Sequence, residues 1–202
     1  LLAGVRPARR LGEFDDWLLR EPRRACSARN GQSHNQKPKT RNQNPMKLQA
    51  ITYTDVNQVE IREYTLGEIG PTDIVVKTRY SMVSSGTELR VLGGHYGAAD
   101  KYPIIPGYST VGEVIEVGPA VSGYHVGDQV SCRNPKPVPG VNAMWGGQAS
   151  LQLHATTGED RPVLLPADAD PFEYVTAEIS AISLRGITAA APRPGETAVV
   201  LG

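Results

Sequence analysis

From Met46 onward the apolar positions fall in short alternating runs broken by glycine, proline and Asx turns, a pattern of strands rather than long helices. "LQAITYT" and "QVEIREY" bracket Asp55-Val56-Asn57 and predict a hairpin. "DIVVKTRYSMVS" predicts a long strand after Pro71-Thr72-Asp73. "STVGEVIEVG" predicts another, in which Gly112 marks a bulge or a close approach of backbone. "HVGDQVSC", entered through the Gly127-Asp128 turn, and "GQASLQLHA" complete the set. Regularly spaced strands with this punctuation argue for a compact, barrel-like β domain.

Near residue 170 the period changes. Asp170-Pro171 reads as an N-cap followed by a first-turn proline, and predicts a helix through "DPFEYVTAEISAISLRGITAAA". "RPGETAVVLG" then predicts a turn and a buried-type strand ending in glycine. A helix feeding such a strand is how a nucleotide-binding βαβ unit opens.

Charge separates a third region. Residues 1–45 carry ten Lys or Arg against four Asp or Glu, while the remainder carries eleven against seventeen. The first stretch, with its "NGQSHNQKPKTRNQNP", is too polar to offset its ordering entropy and is expected to be a disordered basic tail. Met46 is read as the true initiator, with the tail as upstream sequence from a mis-set start. The acidic body lacks the basic surface that nucleic-acid binding requires. Cys26 and Cys132 imply no disulfide framework, and no CxxC pair seeds a zinc site. No apolar run approaches a membrane span, so a cytoplasmic setting is expected.

Five segments in order carry a family resemblance. "SSGTEL" (84–89), "YPIIPGYSTVGEVIEVG" (102–118), "VSGYHVGDQV" (121–130), "GGQASLQL" (146–153) and "AEISAISLRGITAAAPRPGETAVVLG" resemble successive motifs of the medium-chain dehydrogenase/reductase, or zinc-type alcohol dehydrogenase, family. Over about 35 residues, "SSGTE" followed by "PGY" also resembles the bacteriochlorophyllide dehydrogenase-like branch. The resemblance implies a mainly β, GroES-like catalytic domain over residues 46–170. Residues 171–202 would be the linker helix and first strand of a truncated Rossmann domain. It also implies NAD or NADP as cofactor, bound mainly by the missing part, with Gly202 as the first glycine of the phosphate-binding turn.

The same resemblance places the chemistry. Ser85 stands at the family's first zinc-ligand cysteine and Tyr108 at its histidine, with Ser109 at the neighbouring glutamate. Glu178 falls where the third ligand or an adjacent acid belongs. Hydroxyls are poor zinc ligands beside thiolate and imidazole, and the cysteine-rich structural lobe is missing, so neither zinc is expected. Thr87 aligns with the hydroxyl that relays the substrate proton, and Tyr108 would donate to the developing oxyanion. Glu88 and Glu178 would orient these groups or act as acid/base partners, although Glu88 also reads as a loop-holding residue and Glu178 as a dipole-complementing one. Ser85 and Thr87 have a second reading as turn residues, and Tyr108 as a core aromatic. Arg90 replaces a relay histidine of some members. His95 is expected near the site, His125 on the surface, His154 at a strand end, and Cys132 as a small buried hydrophobe.

The expected function is hydride transfer between a nicotinamide and a small alcohol, aldehyde or ketone, in a full-length protein that is a homo-oligomer. The 202-residue chain would be inactive by itself. A zinc-free enone or quinone reductase and a non-catalytic binding module of the same fold are the alternatives.

Overall fold

In a computed structural model of the chain, residues 45–200 are described. The expected basic tail lies outside them, except for Pro45, and so does Gly202. Two sheets make the body. Sheet A runs in the order β2-β1-β4-β7, from β1 (Lys47–Asp55), β2 (Gln58–Thr65), β4 (Ile104–Ile105) and β7 (Asn142–Ala143). Sheet B runs β8-β3-β5-β6-β9, from β3 (Asp73–Met82), β5 (Ser109–Val117), β6 (Gln129–Cys132), β8 (Leu151–Ala155) and β9 (Val163–Leu164). Residues 148–150 stitch the sheets together. Ile51 N donates to Gln148 O, Ser150 N to Gln49 O, and Thr78 N to Ser150 O. The mainly β architecture expected from the alternating runs is present.

The hairpin forms where the turn chemistry placed it. Asn57 takes the left-handed conformation (φ 56°), and the Asp55 carboxylate accepts the Val56 N–H at 2.7 Å. β2 is an edge strand whose Val59 and Ile61 stay exposed, with Glu60, Arg62 and Glu63 interleaved, a charge pattern that discourages edge pairing.

β3 is central because both its faces are covered. Val75 packs with Leu48, Ala50, Leu66, Ile105, Ala149 and Leu153. Ile74 and Val76 pack on the other side with Val114, Val130 and Cys132. That is why "DIVV" is continuously apolar after its aspartate. Both readings of Gly112 are realised: the β3–β5 register shifts beside it, and a Cβ there would collide with the Lys77 carbonyl.

Three helices complete the described chain: α1 (Ser85–Leu92), α2 (Pro171–Tyr174) and α3 (Ala177–Ala190). Asp170 caps α2 as expected, accepting the Phe172 N–H at 2.9 Å. The helix predicted as one piece from residue 170 is interrupted after Tyr174, where Val175 turns inward and is buried. The strand predicted over "ETAVV" does not form: among the described residues no strand pairs with it, and Val199 and Val200 are 77% and 91% exposed. A strand is defined by its ladder partner, and none is at hand. Among the described residues no helix is long and apolar enough to cross a membrane.

One buried polar chain crosses sheet B. Gln152 Nε2 donates to Thr78 Oγ1 and to Gly147 O, which leaves its Oε1 to accept from Thr110 Oγ1 and from His154 Nε2 at 3.0 Å. His154 is therefore neutral with its proton on Nε2, and burial pushes its pKa down to about 4. Between that value and the ordinary 6.5 the unfolded chain binds more protons, so stability falls as pH drops through this window. Equilibrium urea unfolding is expected to lose about 3 kcal/mol from this residue between neutrality and pH 4. His154→Gln is expected to flatten that slope; an unchanged slope would contradict the buried neutral imidazole.

Candidate functional site

The site candidates gather at the start of α1. Ser84 enters the helix in an extended conformation (φ −86°, ψ 92°), and its carbonyl accepts the Glu88 N–H at 2.8 Å. Glu88 lies one turn on, and its side chain folds back so that Oε1 accepts the Ser84 N–H at 3.2 Å. Gln148 Nε2 donates to Oε2 at 2.6 Å and the Tyr53 hydroxyl to the same oxygen at 3.4 Å. The Tyr108 N–H lies near this carboxylate but donates to Met82 O at 3.3 Å. Glu88 is 2% exposed, and burial raises its pKa while the surrounding donors, the Ser84 N–H first among them, work the other way. The Tyr53 phenol is pushed up to about 12 by its own burial and by the adjacent carboxylate. Three donors and an enclosed setting make Glu88 a fastener rather than a proton shuttle.

Glu88 thereby ties α1 to the segment carrying Tyr108. Pro106-Gly107 turns that segment so tightly against residues 147–148 that a Cβ on Gly107 would run into their backbone. Gly107 has φ 117° and accepts the Gly147 N–H at 3.1 Å, while Gln148 N donates to Pro106 O. Tyr108 follows, half-buried, its ring 5.5 Å from that of Trp145 and tilted by 48°. Ser109 is buried, and its hydroxyl donates to Val175 O at 2.8 Å.

Thr87 and Tyr108 are thus linked to this carboxylate indirectly, Thr87 through Ser84 and Tyr108 through Gln148 and its bond to Pro106. The Ser84 hydroxyl donates to Thr87 Oγ1 at 3.1 Å, which leaves the Thr87 proton to point onward. Ser85 is exposed at the first position of α1. Glu178 sits apart from this hub, at the start of α3, where Oε1 pairs with Arg133 Nη1 at 3.0 Å. Arg133 Nε pairs in turn with Asp160 at 3.1 Å. The Glu178 carboxylate is therefore committed to a guanidinium 45 positions away, a pairing without a mark in local spacing.

The histidines separate clearly. His95 and His125 are exposed, and His125 Nδ1 lies 3.5 Å from the Asp128 carboxylate. His154 is enclosed with Gln152, and Cys132 is buried, its thiol pKa raised by desolvation. Arg90 Nη1 donates to the Tyr96 hydroxyl at 3.3 Å with its guanidinium 5.8 Å from that ring. Among the described residues no three His, Cys, Asp or Glu side chains are grouped to hold a metal. Sequence reading missed Tyr53, Gln148 and Trp145. The first two are ordinary strand residues until Glu88 meets them, and only the unusual "WGG" could have flagged the third.

Residues 70–163 match the alcohol dehydrogenase GroES-like domain family. Cinnamyl alcohol dehydrogenase 2 of Oryza sativa subsp. japonica is 48% identical over 67 residues, which cover 33% of this chain and 18% of that protein. A cinnamyl alcohol dehydrogenase of Sorghum bicolor has a similar structure (TM-score 0.58, 18% identity, 75% of this chain and 50% of that one). So does the CAD of Helicobacter pylori complexed with NADP(H) (TM-score 0.57, 14% identity, 72% and 50%). At these identities the structural likeness is one of fold. The chain spans about a fifth of the length of the curated relatives it matches.

Removing the Glu88 carboxylate leaves the Ser84 N–H, the Gln148 amide and the Tyr53 hydroxyl facing a hole. Unpaired buried groups cost about 1–3 kcal/mol each, so Glu88→Ala is expected to lose about 3 kcal/mol or more in urea denaturation. Tyr53→Phe, which gives up only the 3.4 Å contact, is expected to lose about 1 kcal/mol or less. A Glu88→Ala protein as stable as the parent would rule out the fastener role.

Proposed function

We propose that the chain, whose residues 70–163 match the alcohol dehydrogenase GroES-like domain family, is the substrate-side, catalytic part of an NAD(P)-dependent alcohol/carbonyl oxidoreductase of the medium-chain dehydrogenase/reductase family. The substrate is a small alcohol, aldehyde or ketone. The observation that carries this reading is the convergence on Glu88, which fastens Ser84 at the start of α1 to Gln148, the residue whose N–H holds Pro106 of the Tyr108 segment. Bound nicotinamide supplies the hydride. Its phosphate turn is expected to begin at Gly202, outside the described residues.

In carbonyl reduction the oxygen gains negative charge as its carbon accepts hydride, and then needs a proton. Tyr108 donates a hydrogen bond to that oxygen, and Thr87, backed by Ser84, passes the proton. Ser85, exposed at the helix start, lines the entrance. Glu178 keeps the beginning of α3 in place through Arg133. Zinc does not fit these donors. Ser85 and Tyr108 offer hydroxyls, Ser109 is spent on Val175 and Glu178 on Arg133, so no step is routed through a metal. The full-length protein is proposed to be a cytoplasmic homo-oligomer.

The test is steady-state kinetics of the protein together with its dinucleotide-binding domain, using NADH and NADPH against a panel of aldehydes and ketones. Tyr108→Phe and Thr87→Val are each expected to lower kcat about a hundredfold, the effect of one well-placed donor. Metal analysis of the same preparation is expected to find no stoichiometric zinc. Unchanged kcat in both variants, or one zinc per chain, would overturn the assignment.

A further inference from the structure

β3 loses one of its two neighbours partway along. β8 pairs with it from Asp73 to Lys77, and Thr78 N still donates to Ser150 O at 3.1 Å. The stretch just before β8 belongs instead to sheet A, where Ile51 N donates to Gln148 O and Ser150 N to Gln49 O. β5 stays alongside β3 as far as Met82, whose carbonyl accepts the Tyr108 N–H at 3.3 Å. Backbone groups of successive residues in an antiparallel strand point alternately to its two sides. Met82 therefore faces β5 and Ser81 faces away from it, and among the described residues no strand lies opposite Ser81. Its N–H and C=O form an open edge one residue long.

That edge borders a cleft of about 310 Å³ at the seam between the sheets. Thr78 and Ser81 line it from sheet B, Gln49, Ile51 and Ile61 from sheet A, and residues 147–150 from between them. Small-molecule sites run from about 300 to 1,000 Å³, so this volume suits a compact ligand rather than a chain. The described lining includes no charged side chain. Ile51 and Ile61 are cross-strand partners, 39% and 74% exposed, and give the cleft an aliphatic wall. We propose that the cleft is a binding site for a small, uncharged N-acylated amino-acid amide with an aliphatic side chain. The ligand's C=O accepts the Ser81 N–H and its N–H donates to Ser81 O, the exchange made by a hydrogen-bonded antiparallel pair, while its side chain covers Ile51 and Ile61. Tyr80 and Met82 are engaged with β5, so a longer peptide gains no further backbone bonds. A carboxylate or ammonium group would lose water here without meeting a counter-charge. Gln148 borders the same cleft and donates to Glu88 at 2.6 Å, so occupancy is legible in its side-chain amide.

N-acetyl-L-leucine N′-methylamide is the probe, titrated into the ¹⁵N-labelled 202-residue chain. Saturable shifts are expected at the Ser81 amide and the Gln148 side-chain amide, with a Kd on the order of 1 mM. Methylating the leucine nitrogen removes the donor to Ser81 O and is expected to weaken binding about fivefold. N-acetyl-L-leucine, which carries a carboxylate, is expected to bind about tenfold more weakly than the probe. Ser81→Pro deletes the N–H that faces the cleft while the β5 ladder runs through its neighbours, and is expected to weaken the probe about tenfold. Ile61→Gln is an exposed change on an edge strand that serves if the proline variant does not fold, and is expected to weaken it about threefold. No saturable shift at Ser81, equal affinity for the methylated analogue, or an Ile61→Gln protein that binds as tightly as the parent would each overturn the site. So would a capped Val-Leu-Val peptide that binds more than about tenfold tighter than capped leucine, because that gain requires an edge longer than one residue.

Discussion

A carboxylate enclosed within a protein survives only where donors replace the water it has lost. Glu88 meets that requirement with groups from three places: the helix entrance at Ser84, β1 at Tyr53, and the sheet-joining stretch at Gln148. An apolar cluster of Tyr53, Val91, Ala98 and Ile104 packs the same elements together. Within it one acceptor with two oxygens fixes the start of α1 against Gln148, and Thr87 follows through Ser84.

Around this hub the barrel supplies rigidity. β3 carries one apolar cluster on each face, so the strand that leads into the site cannot shift without disturbing both. Where chains must pass closer than a side chain allows, the sequence places Gly107 and Gly112. The Gln152–His154 chain threads sheet B with the Gln152 amide bonded at both its nitrogen and its oxygen. Rigid walls and a pinned acceptor would suit the proposed site, whose hydrogen bonds must meet a charge that appears only during reaction.

Much of this was legible in the sequence because it is local. The Asp55-Val56-Asn57 turn, the Gly112 bulge and the Asp170 cap are decided within a few residues. What stayed hidden depends on distant partners. "SSGTEL" reads as a turn because serine and glycine favour one, and α1 gains its fold-back contact only through Glu88 and the groups that surround it. The pairing of Glu178 with Arg133 spans 45 positions and leaves no mark on spacing. The apolar run at residues 197–200 has a strand's composition, but composition cannot create the neighbour that a strand must hydrogen-bond.

The base of α3 bears on everything that follows it. Val175 is buried, its carbonyl is held by Ser109, and Glu178 is clamped by Arg133, while no residue of the helix itself is buried. A 14-residue rod fixed at one end is a lever about 21 Å long. Turning its base by about 10° would carry the far end through about 4 Å, by the geometry of the rise per residue. The two anchors sit beside Tyr108 and at the end of β6. A small displacement at either anchor would thus be magnified along α3, so the orientation of the chain beyond Ala190 depends on a hydroxyl and a guanidinium at its root.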